Sequence, residues 1–344
     1  MSEAIDWNAA ARVGVGLIRP GPSLSEPDRA AAVERLRRAA GRAPELEAAA
    51  SRLPNAEAAA TGVTLVVDRA GIVRANAAAM AAVFDGLDGQ TGRPGVAGKT
   101  VGSMAGVVFA VVGSAVLGQY EPFTDRLLLS APTVEAVRAG IGADPDDFAL
   151  WVVLHEQTHR HQFAAAPWLR DYLRDLIRRA AQLGFGDSSG NDKPSRSQRK
   201  ASRVPGMGLA GLLGATGAKS IIDEVTAVMS LLEGYADMLM DVAGASVIPT
   251  LPSIRAAFDE RRQHPQHDLG ALLRRLLGLT AKIDQYVVGK AFCEAVRREV
   301  GLDGLNEAFR EREALPTVAE LRDPAAWVAR RFRPGAAPGV PGGA

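Results

Sequence analysis

A chain of 344 residues with 47% hydrophobic composition is long enough to bury one large core or two modest ones, and it reads as globular. Lys and Arg number 40 against 39 Asp and Glu, so no global field draws it to nucleic acid or to an anionic membrane, and neither is expected as a partner. The single cysteine, Cys293, excludes an internal disulfide and a thiolate metal cage, and is expected to be a small core hydrophobe.

The start, Met1-Ser2-Glu3-Ala4-Ile5-Asp6-Trp7, has neither a basic leader nor a continuous apolar run, which sets a cytoplasmic expectation. Ser25-Glu26-Pro27 pairs a cap with an early-turn proline and opens an amphipathic helix running to about Ala40. Val63 to Val67 and Ile72 to Arg74 read as strands on either side of a hairpin-like turn at Asp68-Arg69-Ala70-Gly71. Val101 to Gln119 is uncharged and long enough to approach a membrane span, but its glycines make it only weakly apolar. Gly102-x-x-x-Gly106 suits close helix packing in a core. Arg126 to Ser130 is a short strand ended by Pro132, and Asp144-Pro145 caps and launches the next helix.

Beyond that helix the polar, basic stretch from Gly184 to Pro205 reads as a solvated loop. Gly206 to Gly217 lacks the Gly-Lys-Ser/Thr ending of a phosphate loop, and the Pro/Gly-rich tail from Arg333 to Ala344 reads as disordered. His264 and His267 sit in a proline-bearing polar loop that is expected to display them to solvent. The expected fold class is mainly α (α+β), with a small β-sheet and an active-site helix. The expected regions are 1–143, helical with the sheet; 144–332, carrying the site; and the tail 333–344.

Chemistry concentrates in Trp151-Val152-Val153-Leu154-His155-Glu156-Gln157-Thr158-His159. Four residues advance a helix by about 400 degrees, so His155 and His159 project from one face, spaced to share a tetrahedral zinc ion. Glu156 stands one step round, where its carboxylate can act as general base toward a water on the metal without being a ligand. The bland alternative is a helix whose histidines are ordinary hydrogen-bonding side chains.

A catalytic zinc needs a third protein ligand. The astacin-like extension would require glycine at 162 and histidine at 165, where this chain has Gln162 and Ala165. His161 points to another side of the helix and is expected at the surface or behind the ligands. With no glutamate between Glu156 and Glu224, the candidates are Glu224 and Glu233, nine positions apart and so facing opposite ways. Glu233 is preferred because it lies in an apolar stretch where an unpaired carboxylate is costly and a cation relieves that cost. Asp237, four residues on, is expected to accept the outer ring N–H of a zinc-bound histidine; a solvent-facing acidic pair is the alternative.

Ile5-Asp6-Trp7, the stretch Val66-Val67-Asp68-Arg69-Ala70-Gly71-x-Val73-Arg74-Ala75-Asn76, the His155 motif and Ser230-Leu231-Leu232-Glu233-Gly234-Tyr235-Ala236-Asp237 together resemble a family of zincin-like hydrolases of unassigned substrate. One branch of that family is associated with deazaflavin coenzyme biosynthesis. The resemblance runs from about residue 5 to 330. It implies a mostly helical zincin-like fold with His155, His159 and Glu233 at the metal and Glu156 as base. Where this chain has Tyr235 the family pattern more often has histidine, and the tyrosine O–H is expected to serve an oxyanion in its place.

The expected function is therefore a Zn2+-dependent hydrolase, a metallopeptidase of gluzincin type acting on a peptide or related amide, with the strand at Arg126 to Ser130 aligning an extended substrate by edge pairing. Two other classes compete. One is a catalytically degenerate zincin that uses its zinc or cleft for binding or stability; the other is a helical interaction protein without metal.

Overall fold

The computed structural model describes residues 5–85, 94–185, 218–262 and 286–332. The 186–217 stretch, with most of the expected basic loop and all of the glycine-rich run, lies outside the described residues, as do His264, His267 and the tail.

The N-terminal third is a layer of helices held together by missing side chains. Helix α1 (Trp7–Leu17) starts at Asp6, whose Oδ1 accepts the Ala9 N–H at 2.7 Å. It lies against α5 (Val96–Ala115) so closely that a Cβ on Gly102 would stand 2.2 Å from the Asp6 carbonyl oxygen, and one on Gly106 2.5 Å from that of Ala10. The small-residue spacing thus serves a helix–helix contact inside the protein. Among the described residues, α5 alone is long and apolar enough to cross a membrane.

Helix α2 (Glu26–Ser51) begins as expected, with Ser25 accepting the Asp28 N–H, but continues eleven residues past Ala40 because Ala43, Glu47 and Ser51 keep a buried stripe facing α7. A short helix, α3 (Ala56–Thr61), leads into strand β1 (Val63–Val67).

The hairpin expected after β1 is not formed: Arg69–Phe84 is a helix, α4, and Ile72 to Arg74 lie in its first turns. Asp68 Oδ1 accepts the Gly71 N–H at 2.6 Å, so the acid that suggested a turn is a helix cap. Helical geometry also buries both Ile72 and Val73 completely, which alternation in a strand could not do on one face.

Strands β2 (Gly118–Glu121) and β3 (Arg126–Ser130) complete a sheet of order β1-β3-β2, with β3 parallel to β1 and antiparallel to β2. Leu127, Leu128 and Leu129 are all buried, as a strand covered on both faces requires. Because β3 is the central strand, it has no free edge; the expected edge pairing at Arg126 to Ser130 is corrected, and the open edge near the site belongs to β2.

Helix α6 (Ala131–Ile141) follows β3 directly. Helix α7 (Pro145–Ala165) is capped by Asp144, whose Oδ1 accepts the Asp146 and Asp147 N–H groups at 3.0 Å each. Phe148, Leu150, Trp151, Leu154 and Phe163 of α7 are buried, each contributing about 1.5–3 kcal/mol of burial, so packing rather than propensity fixes this helix. Around it lie α8 (Trp168–Phe185), α9 (Ala218–Gly244), α10 (Leu251–Arg262) and α11 (Tyr286–Asn306), the last kinked at Gly301, φ +76°. Short helices α12 (Val318–Arg322) and α13 (Pro324–Phe332) close the chain. One core cluster runs from Leu36 to Val328, drawing on residues from both sides of position 143. Cys293 is buried in it as expected, and burial pushes its thiol pKa up.

Candidate metal centre

Two helices bring the site together. On α7, His155 and His159 present their Nε2 atoms side by side, 3.1 Å apart, with the rings edge to face. Glu233 comes from α9, its Oε2 3.3 Å from His155 Nε2 and its Oε1 3.7 Å from His159 Nε2. The rotation of α9 that aims Glu233 at α7 is set on the flank it turns to α11. There a Cβ on Gly234 would stand 2.2 Å from the Gly289 carbonyl carbon, and one on Gly289 2.1 Å from the Ser230 oxygen. Only glycine at both positions lets α9 and α11 cross at that distance.

The donor set fits a zinc ion. Ligands at about 2.05 Å in a tetrahedron stand about 3.3 Å from one another; the two imidazole nitrogens are 3.1 Å apart, and the Glu233 carboxylate sets one oxygen 3.3 Å from His155 Nε2 and the other 3.7 Å from His159 Nε2. The three donor atoms all lie within 4.8 Å of one another. The two side chains of α7 and the one of α9 keep 26%, 13% and 33% of their surface exposed, in the order His155, His159, Glu233. Three protein ligands and an open side describe a catalytic type of site, whereas structural zinc sites are closed by four.

Electrostatics support a cationic centre. Burial alone would lower the pKa of His159, but the Glu233 carboxylate outweighs it and raises the value to about 9. Burial likewise works to raise Glu233, and the two imidazoles overcome it, holding this carboxyl well below the usual range. Glu156, 8% exposed, has its pKa raised by burial, against the lowering effect of His155 and His159.

Glu156 is held by the open edge of the sheet. Its Oε2 accepts the Tyr120 N–H at 2.9 Å. Ser130 N–H donates to the Leu117 carbonyl at 2.8 Å, and Gly118 lies opposite Leu129, so the Gly118 and Tyr120 main-chain groups turn away from β3. A Cβ on Gly118 would come within 2.6 Å of Glu156 Cγ, so this carboxylate occupies room that glycine leaves.

Several expected roles are not what the geometry places. Asp237 does not serve either histidine: its carboxylate takes the Arg255 guanidinium, with Lys290 at 4.0 Å. The outer ring nitrogens meet other groups, His155 Nδ1 lying 3.1 Å from Met240 Sδ and His159 Nδ1 3.0 Å from Gln162 Oε1. Two residues on from Glu233 is 200 degrees round a helix, so Tyr235 faces the opposite side. It is wholly buried, with its hydroxyl donating to Asn306 Oδ1 at 2.8 Å and its ring edge-on to Phe309, and it is in no position to serve an oxyanion. His161 is not at the surface: it is fully buried, paired with Glu47 and meeting the Pro54 carbonyl at 3.0 Å. Glu224 faces away as expected and binds Arg179 at 2.9 Å and Arg312 at 3.2 Å. Gln162, Met240, Gly118 and the Tyr120 N–H escaped the sequence reading, because none belongs to a residue type that declares a metal site.

Comparison with curated proteins gives no match. A solved structure from Chloroflexus aurantiacus, assigned provisionally as a hydrolase with a novel fold, superposes with a TM-score of 0.67 at 26% identity over 96% of this chain and 100% of that one. The description "Zincin-like metallopeptidase" matches residues 5–328. The chain belongs to the zincin-like metallopeptidase family.

Proposed function

We propose that this protein is a zinc-dependent amide hydrolase of gluzincin type, acting on a peptide or related amide. The observation that carries the reading is the meeting of His155, His159 and Glu233 beside a carboxylate, Glu156, that is not among the three. His155, His159 and Glu233 would hold the ion. Zinc in that position supplies a Lewis acid that lets water act as a nucleophile near neutral pH. Glu156 takes the proton from that water, its raised pKa bringing it closer to the operating pH of a general base, and returns it to the leaving amine. The open edge of β2 offers the Gly118 main-chain groups and the Tyr120 carbonyl to an extended substrate, the Tyr120 N–H being taken by Glu156, so a peptide is recognised by backbone rather than by side chain.

Zinc titration of metal-stripped protein, followed by cleavage of a peptide library by wild type and Glu156→Gln, tests the proposal. Glu156→Gln is expected to keep zinc and to lose about 100- to 10,000-fold in turnover. Zinc retained with no glutamate-dependent turnover replaces this reading with the degenerate zincin, and a protein that takes up no zinc removes both.

A further inference from the structure

We propose that Gln162 is a positioning residue of the metal centre: it fixes the metal-binding tautomer of His159 and ties together the two helices that carry the ligands. Gln162 is completely buried, three residues after His159 on α7. Its Nε2 donates to the Leu232 carbonyl at 3.0 Å, and its Oε1 lies 3.0 Å from His159 Nδ1. Reversing the amide would set its oxygen against the Leu232 oxygen, so one orientation satisfies both contacts. In that orientation Oε1 is the acceptor, and His159 Nδ1 must carry the hydrogen.

A proton on Nδ1 leaves the lone pair on Nε2, the atom that stands 3.1 Å from His155 Nε2 and 3.7 Å from Glu233 Oε1. The far end of the same amide grips α9 at Leu232, the residue next to Glu233. One side chain therefore aims an imidazole and anchors the backbone of the third ligand. The other histidine has no comparable support, since His155 Nδ1 faces Met240 Sδ, and a thioether is a weak acceptor. Loss of Gln162 is thus not made good elsewhere in the site.

The inference rests on the zinc reading above, and its test separates the two. Zinc affinity of the metal-stripped full chain is measured by competition with a chromophoric chelator for wild type, Gln162→Met and Gln162→Glu, together with the thermal midpoint of each metal-free form. Gln162→Met keeps the volume and removes both contacts, and is expected to bind zinc roughly 10- to 100-fold more weakly. Gln162→Glu keeps the acceptor for His159 Nδ1 but sets an oxygen against the Leu232 carbonyl, and is expected to bind zinc between wild type and Gln162→Met. Wild-type affinity in Gln162→Met, with or without a lowered metal-free midpoint, overturns the proposal. So does Gln162→Glu binding as weakly as Gln162→Met, and, should Gln162→Met not fold, so does Gln162→Glu binding zinc as tightly as wild type, because the lost Leu232 contact would then carry nothing. A wild type that binds no zinc at all overturns the metal centre itself, and this inference with it.

Discussion

Gly118→Ala tests how closely the sheet edge holds Glu156, the proposed general base. The new Cβ would stand 2.6 Å from Glu156 Cγ and 3.1 Å from its Cδ and Oε1. Carbon atoms in contact settle at about 3.5–4.0 Å, so something must give by about 1 Å. The strand is the stiffer partner, because Gly118 lies opposite Leu129 in the sheet and Leu129 is wholly buried. Glu156 therefore yields and pulls away from the Tyr120 N–H, leaving a buried donor unpaired at about 1–3 kcal/mol. A catalytic group displaced by about 1 Å costs on the order of 100-fold in rate. The variant is expected to hold zinc like wild type, unfold at lower urea and turn over peptide about 100-fold more slowly. Wild-type urea midpoint together with wild-type turnover would refute the reasoning, because the overlap would then have been relieved without moving the carboxylate.

Asp237→Asn is expected to leave zinc affinity unchanged in chelator competition while lowering the thermal midpoint, since its carboxylate serves Arg255 rather than a histidine. Glu224→Gln tests a pH dependence. The Arg179 hydrogen bond holds the Glu224 pKa below its ordinary 4.5, so the pair stabilises the fold above that value and its contribution is lost as pH falls through the folded pKa. The variant, about 1 kcal/mol less stable at pH 7 by urea denaturation, should converge on wild type in acid; a gap that persists at the lowest pH refutes the assignment. Gly106→Ala gains about 1 kcal/mol of helix propensity. Its Cβ would meet the Ala10 carbonyl at 2.5 Å, a backbone atom that cannot swing aside, so the net thermal shift is expected to be downward.

That His155, His159, Glu156 and Glu233 would meet was legible because helical spacing and the chemistry of residue types are local facts. His155, Glu156 and His159 need one helix, and the cap at Asp144 announces it. Glu233 was reached by elimination, since its acidic rival nine residues away faces the other side. Asp237 was misread for a geometric reason. Four residues return a helix to within about 40 degrees, but seven return it to within about 20, and it is Met240, seven residues from Glu233, that meets His155. Tyr235 was misread because a neighbour in sequence was taken as a neighbour in the cleft. The helix after β1 was hidden for another reason: Asp68 followed by glycine at 71 signals a turn as well as a cap, and only the burial of both Ile72 and Val73 decides between them. The base-holding edge of β2 was not legible at all, because Tyr120 acts through its backbone N–H, which every residue but proline possesses.

In metal-free protein a proton and zinc compete for one place. His159 Nε2 and His155 Nε2 lie 3.1 Å apart with the Glu233 carboxylate beside them, and the pKa of His159 is raised from an ordinary 6.5 to about 9. That proton stabilises the metal-free fold fully below pH 6.5, and its contribution disappears as pH rises through about 9. Zinc must displace it, since a ligating imidazole gives its Nε2 lone pair to the metal. Glu233 is already ionised over this range and adds no second proton. The apparent zinc affinity should therefore rise by close to tenfold per pH unit from about 7 toward 9, with one proton released per ion in unbuffered titration, a slope set by the linkage of one proton to one site. An affinity that is flat across that interval would show that His159 is neutral before the ion arrives, and that the Glu233 carboxylate does not hold a proton on its Nε2.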